Sequence, residues 1–220
     1  MLRRMECAAR DAIPALREMA RSGDEELAEA ASEALRWYGR APDCDVSALA
    51  RDLAGADRLM RAGLVSALGD MGAEAKQAVP ALAAMLKDPE RVERECALRA
   101  LARIGPAATA GVPAVLECLR DALGSLGSAE EYQIRQPVRT LGKIGPAAAP
   151  AVPLFLEILG KTRESRSPSA RDNALAVVTA LGGIGPGAAA AAPALEEILR
   201  DQDWQLRVRA AGALDRIAPE

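Results

Sequence analysis

One phrase decides the fold, because it recurs three times along the chain with little change. The copies are GPAATAGVPAVLECL at residues 105–119, GPAAAPAVPLFLEIL at residues 145–159 and GPGAAAAAPALEEIL at residues 185–199. Each copy begins with a Gly-Pro pair and carries a further proline, namely Pro113, Pro153 or Pro193. A phrase that returns at a regular interval is the sequence signature of a repeat protein.

Two markers extend this repeat over the whole chain. The proline marker falls at Pro14, Pro80, Pro113, Pro153 and Pro193, with Ser47 in the remaining position. The glycine marker closes an L-x-x-φ-G phrase, where φ is apolar or aromatic, at Gly39, Gly72, Gly105, Gly145 and Gly185, with Ala218 in the sixth position. Both markers advance by 33 or 40 residues, as from Pro80 to Pro113 and from Pro113 to Pro153. The sequence predicts one domain, 1–220, with repeats 7–39, 40–72, 73–105, 106–145, 146–185 and 186–218.

Each repeat is predicted to form two helices. The first carries apolar residues at helical spacing, such as Val152, Phe155 and Leu159, and its Gly-Pro start offers a helix-ending glycine followed by an N1 proline. The second carries small residues and ends in a Leu-x-x-Ile pair, such as Leu181 and Ile184. A single pair of helices cannot cover its own apolar face, so successive pairs must stack. We therefore expect an all-α fold, a right-handed α-solenoid of about six helical hairpins.

The composition supports helices and excludes several kinds of chemistry. Half of the residues are hydrophobic, and the chain has two Trp, two Tyr and one Phe. It contains no histidine, which excludes histidine-ligated metals and Ser-His or Cys-His nucleophile pairs. Four cysteines without a C-x-x-C pair are too few for a disulfide framework and favour a reduced, cytoplasmic setting. We expect no enzymatic activity, no metal and no cofactor.

Membrane and nucleotide partners are also not expected. The longest weakly polar stretches contain prolines and charges, and they are shorter than the roughly 20 apolar residues that a membrane-spanning helix needs. Residues 183–188 partly match the dinucleotide fingerprint G-x-G-x-x-G/A. A predicted helix precedes them instead of a strand, and Pro186 has no N–H to offer a phosphate.

Two stretches, PALAAMLKDPERVERECALRALARIGPAA (80–108) and PALEEILRDQDWQLRVRAAGALDRI (193–217), resemble HEAT-like repeats. The likeness is to the phycobilisome lyase HEAT-like repeat family, and it covers residues 7–218. It implies a ladder of aspartate and arginine side chains between neighbouring repeats, in which Asp88 corresponds with Arg94 and Asp201 with Arg207.

The ladder is incomplete in this sequence. Arg61 occupies the arginine position of the second repeat, but Gly55 replaces its aspartate. In the first, fourth and fifth repeats the arginine position holds Ala28, Ile134 and Ala174. Less regular stacking is therefore expected in those repeats.

Basic residues collect on the second helices, which the resemblance to HEAT-type repeats places on the concave side. Positions two before and two after each Leu of the Leu-x-x-Ile pair are four apart and share one helix face. The first repeat offers an aromatic side chain there, and the third, fourth and sixth repeats offer cations. The predicted binding residues are Trp37, Arg99, Arg103, Arg139, Lys143, Arg209 and Arg216. No residue is predicted to be catalytic or to ligate a metal.

A positive stripe in a chain with a net charge of −3 favours an anionic partner. The leading hypothesis is a non-enzymatic protein–protein interaction scaffold that binds an acidic peptide or protein partner on its concave face. One alternative is nucleic acid or another phosphate ligand, although the net charge and the few aromatic residues disfavour nucleic acid. The other, from the resemblance alone, is a lyase-like accessory protein that acts on a cofactor-bearing protein.

Two departures from the period bear on partners. The longer fourth and fifth repeats carry their extra residues at 121–133 and 160–171, which form a binding edge, two extra helical turns or a disordered link. The first repeat begins in mid-phrase, and the sixth has no polar outer helix after it. Exposed ends of this kind predict either a longer array or self-association through uncapped repeats. The polar Glu25, Glu26 and Glu29 of the first repeat leave a capped monomer as the alternative.

Overall fold

The computed structural model describes residues 15–16, 19, 24–38, 46–56, 58–124, 131–165 and 168–218, and these residues contain helices and turns but no strand. The α-helices are α1 (Glu25–Tyr38), α2 (Val46–Asp52), α3 (Arg58–Asp70), α4 (Val79–Ala84), α5 (Arg91–Ile104), α6 (Val112–Leu123), α7 (Arg135–Ile144), α8 (Val152–Glu164), α9 (Pro168–Ile184), α10 (Ala192–Ile198) and α11 (Trp204–Ile217). The predicted all-α solenoid fold is confirmed.

The helices group into two compact units, Met1–Ala107 and Ala108–Glu220. The single domain with the six repeat boundaries given above stays a prediction, as does the right-handed sense of the solenoid.

The glycine marker ends the second helix of a repeat, as predicted. Gly72, Gly105, Gly145 and Gly185 have φ angles of 56°, 66°, 82° and 70°. A side chain is strained in this region of backbone space, so glycine is the residue that stops the helix there.

The Gly-Pro pair does not open the next α-helix, which corrects that prediction. In the fourth and fifth repeats it opens the 3-10 segments Gly105–Gly111 and Gly145–Ala151. The α-helices begin after them, with the marker prolines Pro113 and Pro153 in the first turn. A proline in a helix interior collides with the carbonyl group four residues earlier, so neither α-helix could have started at the Gly-Pro pair.

In the second unit the core lies between the first and second helices of each repeat. In the second unit α9 packs against α8, α7 and α11. Leu141, Leu181 and Ile184 of the Leu-x-x-Ile pairs are fully buried, as is Phe155 of α8, the one phenylalanine in the chain. Burial of side chains this large supplies the main stabilising contribution to a helical array.

Neighbouring second helices approach each other through small residues. A Cβ atom built on Gly142 would lie 2.6 Å from the Ala180 Cα atom, and one built on Gly182 would lie 3.1 Å from the Ala213 Cα atom. In the first unit, a Cβ atom on Gly69 would lie 3.2 Å from the Ala100 Cα atom. The small-residue stripe therefore brings α7, α9 and α11 almost into backbone contact, and α3 and α5 likewise.

The structure contains one aspartate–arginine link of the predicted kind between neighbouring repeats, but it joins a different pair of residues. Arg61 of α3 donates a hydrogen bond to the Asp88 carboxylate at 3.3 Å, which links the second repeat to the third. Arg94 instead donates to the carbonyl oxygens of Asp88 and Pro89, at 2.8 Å each. Arg94 therefore stabilises the turn before its own helix, within one repeat. It does not form the expected side-chain pair with Asp88.

The pair in the sixth repeat behaves in the same way. Arg207 donates to the carbonyl oxygens of Asp201 and Gln202 at 2.9 Å each. This pair also corrects the expectation of a rung between neighbouring repeats.

Other arginines link the repeats whose ladder position lacks one. Arg135, beside Ile134, forms an ion pair with Asp172 of α9 at 3.2 Å. Arg171 of α9 forms an ion pair with Asp203, the residue that caps the N-terminus of α11, and donates a second hydrogen bond to Gln205 at 2.8 Å. The hydrogen bond from Arg171 lowers the pKa of the Asp203 carboxyl below its ordinary value.

The Asp203→Asn variant is expected to be less thermally stable than the parent protein at pH 7. Asparagine caps a helix about as well as aspartate, so the substitution removes only the charge. Because the folded pKa of Asp203 is lowered, its contribution is present above the unfolded value of about 3.9 and is lost as the pH falls through the folded pKa. The difference in melting temperature should therefore shrink below about pH 4.

The matched control for that measurement is Asp215→Asn on the exposed side of α11. Asp215 makes no ion pair among the described residues, so its replacement should change the melting temperature little at any pH. A melting difference for Asp203→Asn that stays constant from pH 7 to about pH 3 would contradict the assigned charge contribution.

Two segments, Arg135–Arg163 and Ser169–Ile198, are long and apolar enough by composition to span a membrane. Neither is one continuous α-helix, because a glycine with positive φ, Gly145 or Gly185, and a 3-10 segment interrupt it. The most apolar windows of the two segments are already 44% and 56% buried against the rest of the chain. The absence of a membrane partner stays a prediction.

The extra residues of the fifth repeat form additional helix. They lengthen α8 as far as Glu164, and α9 begins at Pro168. The helical-turn alternative is thus confirmed for this repeat. In the fourth repeat α6 ends at Leu123, and residues 125–130 of the insertion lie outside the described residues.

At the other end of the second unit, Trp204 and Val208 of α11 are apolar side chains that are 61% and 62% exposed. They lie on the last helix that the structure describes. Self-association through this face stays a prediction.

Candidate functional site

Three parallel helices form the candidate site in the second unit. The middle helix, α9, packs against α7 on one side and α11 on the other. Ion pairs join them near their N-terminal ends, from Arg135 to Asp172 and from Arg171 to Asp203. The glycine contacts described above join them near their C-terminal ends. The three helices therefore run side by side in register.

A cavity of about 690 Å³ opens along these helices. We call it the basic groove. Its lining consists of Arg135, Gln136, Arg139, Gly142, Lys143, Leu175, Ala176, Thr179, Ala180, Gly183, Arg209 and Arg216. The lining includes five basic side chains and no acidic one.

The floor of the basic groove is made of small residues. Gly142, Ala176, Ala180 and Gly183 lie where α7 meets α9. A Cβ atom on Gly183 would lie 2.3 Å from the Gly142 carbonyl oxygen, so the two backbones touch at this point. A ligand can therefore approach close to the helix backbones between the longer side chains of the walls.

The walls carry positive charge that the protein itself only partly compensates. Arg139 and Lys143 of α7 are exposed and form no ion pair among the described residues. Arg209 of α11 donates to the Thr179 hydroxyl at 2.9 Å, and Arg216 donates to the Gly212 carbonyl oxygen at 2.9 Å. Both of those acceptors are neutral, so these cations keep their attraction for an anion.

The structure brings four of the predicted binding residues together, namely Arg139, Lys143, Arg209 and Arg216. It adds Arg135, which the sequence analysis did not select. Arg135 lies four residues before Arg139 and eight before Lys143, so continued four-residue spacing along α7 was the signal that could have identified it. Its ion pair with Asp172 makes it the partly neutralised member of the row.

The other predicted binding residues lie in the first unit. Arg103 of α5 forms an ion pair with Asp70 of α3, so its charge is compensated locally. Arg99 is exposed and donates to the Cys96 sulfur at 3.2 Å. A continuous stripe from Arg99 to Lys143, which would run from one unit to the other, stays a prediction. Trp37 belongs to α1, but its side chain lies outside the described residues.

The part of the chain that the structure describes offers few residues for metal binding or thiol chemistry. It contains no group of three or more His, Cys, Asp or Glu residues that could hold a metal ion. Cys96 and Cys118 are half-buried thiols, and neither forms a disulfide among the described residues. The basic groove is thus the cavity with the clearest chemical character, because all five charged side chains of its lining are basic.

The stacked helical hairpins define a HEAT-like helical repeat protein, as the resemblance in the sequence implied. No protein-family model and no curated protein sequence matches the chain. The phycocyanin lyase complex of CpcE and CpcF from Nostoc sp. PCC7120 has a similar structure, with a TM-score of 0.60 and 24% identity over 82% of this chain and 68% of that one.

Two artificial proteins are also similar in structure. An engineered protein matches with a TM-score of 0.60 and 20% identity over 93% of this chain and 96% of the other. A designed armadillo repeat protein, solved in complex with the peptide (KR)4, matches with a TM-score of 0.61 and 17% identity over 94% and 99%. With sequence identities this low, the structural similarity establishes a shared fold alone.

Proposed function

We propose that this chain is a non-enzymatic interaction scaffold whose second unit binds an acidic peptide segment of a protein partner in the basic groove. One observation carries the proposal. Five basic side chains and no acidic side chain line one cavity of about 690 Å³, in a chain whose net charge is −3. A local excess of one sign against the overall charge favours a ligand of the opposite sign.

The shape of the groove favours a peptide as the ligand. The small residues of the floor leave room for a main chain, and the walls offer cations to its side chains. The designed armadillo repeat protein that shares this fold was solved with (KR)4, a basic peptide. The corresponding ligand for a groove lined by arginine and lysine has acidic side chains.

A titration of the whole chain with a fluorescein-labelled Asp/Glu peptide tests the proposal. Fluorescence anisotropy at about 50 mM salt should show saturable binding that weakens markedly by about 200 mM. The Arg139→Glu/Lys143→Glu variant should bind at least about tenfold more weakly, since two attractive charges become repulsive. A labelled (Lys-Arg)4 peptide should not bind to the parent protein.

The matched control is Arg120→Glu/Arg200→Glu, which makes the same change in net charge outside the groove. Both arginines are exposed residues of the second unit. Equal weakening by the two double variants would assign the binding to overall charge, and the groove proposal would be wrong. Tighter binding of a single-stranded oligonucleotide than of the acidic peptide would replace the peptide with a phosphate ligand.

The remaining alternative is a lyase-like accessory role. The similarity to the CpcE–CpcF complex supports it only through the fold that the two proteins share.

A further inference from the structure

The cations of α7 form a row with regular spacing. Arg135, Arg139 and Lys143 follow each other at intervals of four residues and all line the basic groove. An α-helix rises about 1.5 Å per residue, so successive members of the row are separated by about 6 Å along the helix. On α9, Leu175, Thr179 and Gly183 line the groove at the same intervals.

An extended peptide has nearly the same repeat on each of its sides. Its residues advance about 3.3 Å each, so every second side chain points the same way with a spacing of about 6.6 Å. A peptide that lies along α9 would therefore place alternate side chains beside successive cations of α7. Consecutive acidic residues would instead turn every second carboxylate away from this row.

The opposite wall does not impose this spacing. Arg209 and Arg216 of α11 are seven residues apart, which is about 10.5 Å along the helix. That distance falls between one step of about 6.6 Å and two steps of about 13.2 Å in an extended peptide. We expect α11 to attract any acidic peptide and α7 to select among them.

Two cations of the row determine which acidic peptide is preferred. Arg135 is already paired with Asp172 at 3.2 Å, whereas Arg139 and Lys143 form no ion pair among the described residues. We infer that the basic groove prefers an extended segment whose acidic side chains alternate with other residues, the minimal pattern being acid, any residue, acid. This inference rests on the proposed function and specifies its ligand.

Two labelled octapeptides of equal composition and charge test it. One alternates glutamate with threonine, and the other, the block peptide, repeats Glu-Glu-Thr-Thr, so that no two of its glutamates are separated by a single residue. The whole chain should bind the alternating peptide about three- to tenfold more tightly, because exposed ion pairs contribute modestly and the block peptide forms fewer of them with α7.

Two double variants separate the two walls. Arg139→Gln/Lys143→Gln should bring the affinity ratio of the two peptides to about one, since it removes the cations that set the spacing. Arg209→Gln/Arg216→Gln should weaken both peptides by a similar factor and leave their ratio unchanged. Arg139→Gln/Lys143→Gln is also a control for the free peptides, because an affinity difference caused by their own conformations would persist in this variant.

The outcomes distinguish this inference from the proposed function. Equal affinity for both peptides, together with sensitivity to the groove variants, would overturn the alternating pattern and leave the acidic-peptide scaffold intact. A ratio that persists in Arg139→Gln/Lys143→Gln would also overturn the inference. Absence of binding by either peptide to the parent protein would overturn both.

Discussion

Gly183→Ala is expected to lower the free energy of unfolding by roughly 2–3 kcal/mol. The added Cβ atom would lie 2.3 Å from the Gly142 carbonyl oxygen and 3.1 Å from the Gly142 carbonyl carbon. Both of these atoms are backbone, so relief requires α7 and α9 to separate. Separation would loosen the contact that holds the floor of the basic groove together.

The matched control is Gly160→Ala in the interior of α8, where an added Cβ atom meets no other atom within 4 Å. That substitution should raise the stability by about 0.4–1 kcal/mol, because alanine loses less conformational freedom on folding than glycine. Urea denaturation followed by circular dichroism measures both variants. Equal stability of Gly183→Ala and the parent protein would show that α7 and α9 are not in backbone contact.

The fold was predictable because its determinants are local in the sequence. A glycine such as Gly145 marks the end of a helix by its own backbone preference, and a proline such as Pro153 belongs in a first turn wherever it occurs. Neither assignment needs knowledge of the neighbouring repeat. The 3-10 segment between them was missed because the Gly-Pro pair already satisfied the local rule for a helix start.

The ion pairs between repeats were less predictable because they depend on how far neighbouring helices are displaced. Arg94 was expected to link repeats, yet it reaches carbonyl oxygens of the preceding turn, while Arg61 makes the link to Asp88. The ion pair between Arg103 and Asp70 was unpredictable for the same reason. The two residues belong to different helices, and only the stacking of α3 on α5 shows that they pair.

Three of the four predicted cations of the basic groove follow from the helical period, and Arg209 was added as a further cation of the same helix as Arg216. Arg139, Lys143 and Arg216 lie at fixed offsets from the Leu of the Leu-x-x-Ile pair. Arg135 lies one helical turn before Arg139, outside the positions two before and two after the Leu, and was therefore not among the predicted residues. Glycine contacts such as Gly142 against Gly183 escaped notice because a small residue in a helix does not by itself indicate what approaches it.

Phe155→Ala is expected to have the largest effect on stability, a loss of about 3–5 kcal/mol in the free energy of unfolding. Phe155 is fully buried on α8, and α8 packs on α9, the helix that forms the middle of the groove. Removing the ring takes away apolar burial and leaves a cavity that rigid helices fill only in part. The matched control is Leu199→Ala, an apolar side chain at the end of α10 that is 39% exposed and should cost about 0.5 kcal/mol or less.

Hydrogen exchange shows where the loss from Phe155→Ala falls. Stability in a repeat array is roughly a sum of repeat and nearest-neighbour contributions, so the amides of α8 and α9 should lose the most protection. The acidic peptide should then bind more weakly to Phe155→Ala although every cation of the groove remains, because α9 no longer holds Thr179 and Gly183 in fixed positions between the walls. A loss below about 1 kcal/mol would contradict the central place of Phe155 in the core. Unchanged peptide affinity in a clearly destabilised variant would mean that α8 does not support the groove.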